Sequence, residues 1–88
     1  MKFVKSLEFD PAAVEDLHYW VKTDRRKADK ILDLIQEIGK NPFHGIGKPE
    51  LLKFDLSKCW SRRIDQEHRI VYSDEDQKIR ILSCRFHY

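Results

Sequence analysis

Residues 10–39 read DPAAVEDLHYWVKTDRRKADKILDLIQEIG and predict two amphipathic helices separated by a short break at Thr23-Asp24. Asp10 and Pro11 supply a helix start, because an N-cap acceptor is followed by proline at the first helical position. Gly39 stands where a C-terminal cap belongs. Apolar residues recur three or four positions apart, as in helices that bury one face; they are Val14, Leu17, Trp20, Val21, Ala28, Ile31, Leu34, Ile35 and Ile38. The pattern predicts an αα-hairpin.

On both sides of the helices the apolar residues alternate with polar ones, which predicts strands. One strand, Lys2–Phe9, precedes the helices, and four follow a Pro/Gly-rich loop at residues 40–50; they are residues 52–56, 59–64, 69–73 and 79–86. The polar turn Asp74–Gln77 predicts an antiparallel hairpin between the last two strands. This order predicts an α+β fold, with the helices packed on one face of a mostly antiparallel sheet of about four to five strands.

The composition predicts one soluble globular domain over residues 1–88. With 41% hydrophobic and 36% charged residues, the chain is too apolar to be disordered and long enough for one modest core. No apolar run approaches the roughly 18 residues that span a bilayer, and the N-terminus does not resemble a signal peptide. Cys59 and Cys84 could form at most one disulfide, so a reduced cytoplasmic protein without membrane contact is expected.

The net charge of +2 originates in one part of the chain. Residues 1–47 and 73–88 contain equal numbers of acidic and basic side chains, whereas residues 48–72 contain six basic ones against four acids. The six are Lys48, Lys53, Lys58, Arg62, Arg63 and Arg69. A local basic surface on a nearly neutral chain favours an anionic ligand at one place over non-specific coating of nucleic acid.

Polar residues of the loop and of the strands behind it are the candidates for chemistry. They are Glu50, Lys53, Arg63, His68, Arg69, Arg85, His87 and Tyr88. Period-two alternation places Arg62 and Arg63 on opposite faces of their strand, and it separates Arg85 and His87 from their neighbours. The four histidines lack the spacing of a zinc site, and phosphate-binding glycine motifs are missing. No metal or cofactor is therefore expected.

A carboxylate, several cationic side chains and a histidine suit the cleavage of RNA, which supplies its own nucleophile in the 2′-hydroxyl. The enzyme adds a base, an acid and cations that stabilise the charge on the phosphorane. Each residue also has an ordinary interpretation: Glu50 as a solvated loop acid, His87 as an exposed terminal residue, and Arg62-Arg63 as a salt-bridged strand edge. Composition and spacing alone favour a small basic nucleic-acid-binding domain and do not establish an enzyme.

A family resemblance is carried by residues 41–72, NPFHGIGKPELLKFDLSKCWSRRIDQEHRIVY, and by the ending CRFHY at residues 84–88. In combination, the strings GKPE, WSRRI, EHRIVY and the terminal His-Tyr resemble the signature of the YoeB/Txe toxins in the RelE superfamily, and the match covers essentially the whole chain. The resemblance implies a RelE-like fold and the toxin of a type II toxin–antitoxin system. Such a toxin is a ribosome-dependent, metal-independent endoribonuclease that cuts messenger RNA in the ribosomal A site by 2′-hydroxyl attack and arrests translation.

The resemblance also implies roles for single residues: Glu50 as general base, Arg69 as phosphate support and His87 as proposed general acid. Supporting contacts with phosphate or RNA are implied for Lys53, Arg63 and Tyr88. A guanidinium offers a bidentate fork to phosphate oxygens, and a histidine with its ordinary pKa of about 6.5 can donate a proton near neutral pH. A free carboxylate is a weak base at its ordinary pKa of about 4.3, so bound ribosome and RNA are expected to desolvate Glu50.

The implied partners are the ribosome with its messenger RNA and an antitoxin of the YefM/Axe type, whose acidic, disordered C-terminal segment covers the toxin. The residues leave the oligomeric state open, and the resemblance suggests homodimers as well as toxin–antitoxin complexes. Two positions depart from the family pattern: Cys59 replaces a common Tyr or Phe, and Phe86 replaces a usual tyrosine. Two other functions stay open, a non-catalytic module that binds the ribosome or an antitoxin, and a metal-dependent nuclease.

Overall fold

The described part of the chain, residues 5–52 and 59–86 of the computed structural model, folds into two helices packed on a five-stranded sheet. In chain order the elements are β1 (Ser6–Phe9), α1 (Pro11–Thr23), α2 (Arg25–Lys40), β2 (Glu50–Leu51), β3 (Cys59–Arg63), β4 (Arg69–Glu75) and β5 (Lys78–Ser83). The strand order is β1-β5-β4-β3-β2; β1 runs parallel to β5, and the other neighbours are antiparallel. The predicted α+β fold is confirmed.

A single residue, Asp24, separates the two helices. Its side chain accepts hydrogen bonds from the backbone N–H groups of Arg26 and Lys27, which satisfies free donors at the start of α2. Its own N–H donates to the Trp20 carbonyl at 2.8 Å and thereby closes the last turn of α1. The predicted αα-hairpin with its break at Thr23-Asp24 is therefore confirmed.

The buried stripe of α1 differs from the predicted one. Ala13 and Trp20 are buried and Leu17 packs against the core, whereas Val14 and Val21 are 55% and 42% exposed. The buried stripe thus follows the spacing i, i+4, i+7, which is also one face of a helix. Its orientation is determined by the indole N–H of Trp20, which donates to the Cys84 carbonyl at 2.8 Å.

The stripe predicted for α2 is confirmed, since its five apolar residues, Ala28, Ile31, Leu34, Ile35 and Ile38, are all buried. The predicted cap at Gly39 is wrong, because Gly39 is buried inside the last turn and the helix continues to Lys40. Asn41 is the C-cap, and its side-chain oxygen accepts the N–H groups of Phe43 and His44. This Asx-type turn takes the chain out of the helix without a glycine.

The strand bounds differ from the predicted ones at several ends. Residues 1–4 and 53–58 lie outside the described residues, and with them parts of the strands predicted at 2–9 and 52–56. The predicted hairpin is confirmed, but its turn is shorter, because β4 continues to Glu75 and the turn consists of residues 76–77.

The last predicted strand is too long at its C-terminal end. β5 ends at Ser83, and residues 84–86 leave the sheet. Their backbone groups bond instead to side chains of α1 and to residues at the start of β4. Because period-two alternation applies to strands alone, the predicted separation of Arg85 from its neighbours across a sheet is wrong.

The core lies between the helices and one face of the sheet. The sheet contributes Ile70, Tyr72, Ile79 and Ile81, and the turn after β3 contributes Ile64; all five are buried. Residues that alternate with these point to the opposite face, which the helices leave open. Among the described residues, no helix combines the length and the apolar character that crossing a membrane requires.

Candidate active site

Three neighbouring strands place polar residues on the face of the sheet that the helices leave open. Glu50 of β2 pairs with Ser61 of β3, and Ser61 pairs with Val71 of β4. Two residues further along β3, Arg63 pairs with Arg69. Because directly paired residues point to the same face of a sheet, Glu50, Ser61, Arg63 and Arg69 form one polar surface. Three of these four are site residues predicted from the sequence, and the fold brings them together.

The guanidinium of Arg69 lies at the centre of this surface. Its Nη1 atom is 3.3 Å from the Ser61 hydroxyl and 3.8 Å from Oε1 of Glu50. Ser61 is fully buried and Arg69 retains 24% of its side-chain exposure, whereas the Glu50 side chain is 67% exposed. The Glu50 carboxylate is therefore loosely paired and exposed to solvent, while the Arg69 guanidinium is bonded to Ser61 of β3.

Arg63 adds a second positive charge directly opposite Arg69. Like charges on directly paired residues repel each other, at a cost of roughly 0.2–1 kcal/mol. Arg63 is exposed and makes no ion pair with any described residue. Two guanidinium groups on one open face, with one nearby carboxylate, leave a positive charge that an anion such as phosphate can neutralise.

An open cleft of ≈ 340 Å³ extends the basic surface beyond Arg63. Lys30 of α2, Lys48 of the loop before β2, and Asp65 line this cleft. The Asp65 carboxylate is paired with Lys27 at 2.8 Å, so it neutralises little of the charge inside the cleft. The positive surface therefore continues from the centre of the site across the end of β3.

The chain end approaches the same surface through its backbone. The N–H of Arg69 donates to the Phe86 carbonyl at 2.8 Å, so Phe86 is fixed beside the first residue of β4. His87 follows Phe86 directly in the sequence. His87, Tyr88 and Lys53, the remaining predicted site residues, lie outside the described residues.

Arg62 points to the core face, opposite to Arg63, as predicted, but it is not a surface residue. It is fully buried, and its guanidinium donates to the carbonyls of Asn41, His44 and Ile46 and to the Tyr72 hydroxyl, at 2.5 to 3.2 Å. The expected contribution to a basic surface and the salt-bridged strand edge are both wrong for this residue.

The Arg62 contacts organise the loop that leads into β2. Burial raises the pKa of the Tyr72 hydroxyl, and the neighbouring Arg62 opposes this shift in part. The hydroxyl in turn donates to the Pro42 carbonyl at 2.7 Å. Because the loop ends at Glu50, Arg62 and Tyr72 together position the segment that presents the carboxylate.

The turn between β3 and β4 is organised by Asp65. Its carboxylate accepts the N–H groups of Glu67 and His68 and the ammonium of Lys27. Burial alone raises the pKa of Asp65, but the bond from Lys27 and the two backbone bonds outweigh it, so the pKa lies below its usual value. This turn fixes the start of β4 and therefore the position of Arg69.

Two further candidates from the sequence have structural contacts. His68 is half-buried, with its ring 4.8 Å from that of Trp20. The Arg85 guanidinium lies 3.6 Å from the centre of the Tyr19 ring and 4.6 Å from that of Phe86, in cation–π geometry. Neither side chain contributes to the surface around Arg69.

Sequence reasoning missed Ser61 as a partner of Arg69 and Arg62 as the anchor of the loop. Strand alternation could have predicted the position of Ser61, because it lies two residues before Arg63 on the same face. The role of Arg62 had no such signal, since its acceptors come from a loop about twenty residues away.

The structure also gives the state of possible metal ligands and thiols. Within residues 5–52 and 59–86, no group of three His, Cys, Asp or Glu side chains is arranged to hold a metal ion. Cys59 and Cys84 are buried free thiols. Cys84 donates to the Ala13 carbonyl with a 3.6 Å separation between sulfur and oxygen, so it packs against α1.

Comparison with known proteins identifies related chains of similar length. A family model described as the YoeB-like toxin of a bacterial type II toxin–antitoxin system matches residues 9–88. The toxin YoeB of Mycobacterium bovis is 51% identical over 85 residues, which are 97% of this chain and 100% of the relative. A YoeB dimer from Staphylococcus aureus superposes with a TM-score of 0.87 at 44% identity, covering 96% of this chain and 98% of its own.

A heterotetrameric YoeB–YefM toxin–antitoxin complex, also from Staphylococcus aureus, contains a similar chain. That chain superposes with a TM-score of 0.84 at 44% identity, covering 96% of this chain and 98% of its own. The similarity therefore includes both the helical layer and the sheet that carries the polar surface.

Proposed function

Because this chain belongs to the YoeB-like toxin family of bacterial type II toxin–antitoxin systems, we propose that it is a ribosome-dependent endoribonuclease of the cytoplasm. It cuts messenger RNA in the ribosomal A site and arrests translation. The reaction uses the 2′-hydroxyl of the RNA as nucleophile and needs no metal ion.

One observation supports this proposal more than any other. The exposed carboxylate of Glu50 lies 3.8 Å from the half-buried guanidinium of Arg69, and Arg69 is paired across the sheet with a second arginine, Arg63. A phosphodiester bound to the two guanidinium groups has its charge neutralised before and during the reaction. The accessible carboxylate beside it is within reach of the adjacent 2′-hydroxyl. The site thus combines a phosphate-binding surface with a base.

The proposed reaction has four linked events. Glu50 takes the proton of the 2′-hydroxyl, and the 2′-oxygen forms a bond to phosphorus. The bond from phosphorus to the 5′-oxygen breaks, and His87 donates a proton to that oxygen. The products are a 2′,3′-cyclic phosphate, which water can open to a 3′-phosphate, and a 5′-hydroxyl. General acid–base help of this kind contributes about 10²–10⁴-fold.

The roles of the remaining residues follow from their position in the chain. Arg69 stabilises the negative charge of the phosphorane, and Arg63 supports it from the next strand. The bond between the Arg69 N–H and the Phe86 carbonyl supports an acid at His87, because it fixes the residue before His87 next to the phosphate-binding arginine. Lys53 and Tyr88 are proposed to contact phosphate and RNA, as the family resemblance implies.

The proposed protein partner is a YefM-like antitoxin with an acidic, flexible C-terminal segment. The basic surface from Arg69 through Arg63 to Lys30 and Lys48 is complementary to such a segment, which gains charge-assisted bonds when it becomes ordered. A bound antitoxin segment would occupy the surface that RNA requires. Homodimerisation, as in the Staphylococcus aureus YoeB dimer, is part of the same proposal.

The test is a map of RNA 5′ ends by primer extension on a defined message, translated in a reconstituted system with the toxin, with and without ribosomes. At low toxin concentration we expect cuts at codons entering the A site when ribosomes are present, and none without them. At high toxin concentration, where a minimal RNA substrate is cut slowly without ribosomes, excess EDTA should have little effect on the rate. Metal-dependent cutting would contradict the proposed chemistry.

Variants assign the roles. Glu50→Gln, Arg69→Ala and His87→Gln should each reduce cutting strongly and relieve growth arrest, while the matched control Glu15→Gln, at an exposed position of α1, should cut like the wild type. A stalled ribosome with intact message, or growth arrest that persists in all three variants, would instead identify a non-catalytic binding module.

A further inference from the structure

The segment after β5, residues 84–86, is held by its backbone: the N–H and the carbonyl of both Cys84 and Phe86 are hydrogen-bonded. The N–H of Cys84 donates to the Asp16 carboxylate at 3.0 Å, and the Cys84 carbonyl accepts the indole N–H of Trp20 at 2.8 Å. The N–H of Phe86 donates to Nδ1 of His68 at 2.7 Å, and the Phe86 carbonyl accepts the N–H of Arg69 at 2.8 Å. Three side chains and the backbone N–H of Arg69 therefore supply the bonds that a neighbouring strand would otherwise make.

Phe86 has a backbone conformation that needs such support. Its φ of +66° lies in the left-handed region, which is unfavourable for a bulky residue. Its side chain is 59% exposed, so little burial of the ring offsets this cost. The hydrogen bonds to its N–H and its carbonyl hold this turn. Its ring adds contacts with the His68 ring, at a centroid separation of 5.6 Å, and with the Arg85 guanidinium. Because His87 is the next residue, the turn determines where the chain continues.

His68 supplies the acceptor for the backbone N–H of Phe86. Its Nδ1 accepts a hydrogen bond, so Nδ1 carries no proton and the neutral ring has its proton on Nε2. Its ring packs edge-on against Trp20 with a centroid separation of 4.8 Å, and Trp20 itself binds Cys84. His68 thus connects α1, the start of β4 and the end of the chain.

We propose that His68 is a positioning residue for the cleavage reaction: it holds the backbone of Phe86 and thereby fixes the point from which the chain continues to His87, the proposed acid. The inference rests on the proposed function, because His87 needs a defined position only if it donates the proton to the 5′-oxygen. A displacement of about 1 Å in a reacting group can cost about 10²-fold in rate. His68 does not itself touch the RNA.

Two substitutions separate the acceptor from the ring. His68→Asn keeps an oxygen on Cγ, at the place of Nδ1, but removes the ring that packs on Trp20. His68→Phe keeps an aromatic ring against Trp20 but removes the acceptor for the Phe86 N–H. If positioning matters, Asn preserves cleavage better than Phe; if packing alone matters, the order is reversed. The same substitutions at His18, which is exposed on α1, are the matched controls.

The experiment is single-turnover cleavage on purified ribosomes stalled at a defined codon, with toxin concentration varied so that the maximal rate and half-saturation are obtained separately. We expect His68→Phe to lower the maximal rate by about tenfold or more at unchanged half-saturation. His68→Asn should stay within about threefold of the wild type. Equal rates for the two variants, or a faster Phe variant, would overturn the proposal, whereas a wild type that does not cut would refute the proposed function instead.

A second measurement does not depend on cleavage or on the variants. Long-range ¹H–¹⁵N correlation spectra of the free wild-type toxin distinguish the two nitrogens of each neutral histidine. We expect an unprotonated, hydrogen-bonded Nδ1 for His68 and slow exchange of the Phe86 amide. A proton on Nδ1 of neutral His68 would show that the bond to Phe86 is not made, and the positioning role would be wrong.

Discussion

Replacing Arg62 with methionine removes the guanidinium that anchors the loop before β2 and keeps an unbranched apolar side chain in place of the arginine stem. The carbonyls of Asn41, His44 and Ile46 lose a charged donor, and the Tyr72 hydroxyl loses one of its two partners. The acceptors stay in place after the substitution, so the change leaves polar groups unpaired rather than replacing a whole polar network by apolar contacts.

The magnitude follows from these four bonds. Hydrogen bonds to a charged group contribute about 1.5–3 kcal/mol each, but the exposed parts of the loop regain water and the buried charge no longer has to be desolvated. With about half of the sum offset in this way, Arg62→Met should lower the free energy of unfolding by about 3–6 kcal/mol. For a domain of this size, about 4–8 °C of midpoint temperature is lost per kcal/mol, so the midpoint should fall by more than about 12 °C.

The assay is urea unfolding followed by tryptophan fluorescence, in a Glu50→Gln background that allows expression without cutting. Arg63→Met is the matched control, since it changes the neighbouring arginine on the exposed face and should alter stability by no more than about 1 kcal/mol, in the stabilising direction where it relieves repulsion with Arg69. The unfolding slope should stay constant, so that the shift of the midpoint reports stability. Equal midpoints for the two variants would refute the role of Arg62 as an internal anchor.

Three further predictions follow from the described contacts. The pKa of Asp65 is lowered in the folded chain, so its ionised form stabilises the fold at pH values above the ordinary carboxyl pKa. This stabilisation is lost as the pH falls through the lowered pKa of the folded chain. In urea unfolding below about pH 4, the stability of Asp65→Asn should therefore change less with pH than that of the wild type. Burial, with a contribution from a nearby acid, raises the pKa of the Cys84 thiol to about 12, and burial also raises that of Cys59; both thiols should react with a disulfide reagent at pH 8 only at the rate of unfolding, and faster labelling would contradict their burial. Arg69→Lys keeps the charge but loses the bidentate fork, so the single-turnover cleavage rate should fall by about tenfold or more. An unchanged rate would show that cleavage does not need a bidentate contact.

The two consecutive arginines show how much of the site could be predicted from the sequence. Strand alternation places Arg62 and Arg63 on opposite faces, and the register confirms it. The alternation does not reveal that the inward arginine is buried, because its acceptors are loop carbonyls whose position depends on the complete fold. The sequence therefore predicts the direction of a side chain more reliably than its partners.

The helices show the same limit. The stripe of α2 is unambiguous, because five apolar residues all follow one face. In α1 two overlapping stripes satisfy helical spacing, and the contact between Trp20 and the Cys84 carbonyl, 64 residues apart, selects one of them. That contact exists because the chain leaves the sheet after Ser83, which alternation in the last residues did not predict.

His68 and Arg69 illustrate how one strand start can serve both layers of the fold. His68 is the last residue of the turn and Arg69 is the first residue of β4. The His68 side chain reaches Trp20 and Phe86, whereas the Arg69 side chain reaches Ser61 and Glu50. A shift at the Asp65 turn would therefore move the Arg69 guanidinium and the segment after β5 together. Their relative position, which the proposed proton transfer requires, is preserved better by this shared origin than by two independent anchors. Substitutions at the turn should consequently reduce cleavage less than substitutions at His68, which disturb one of the two alone.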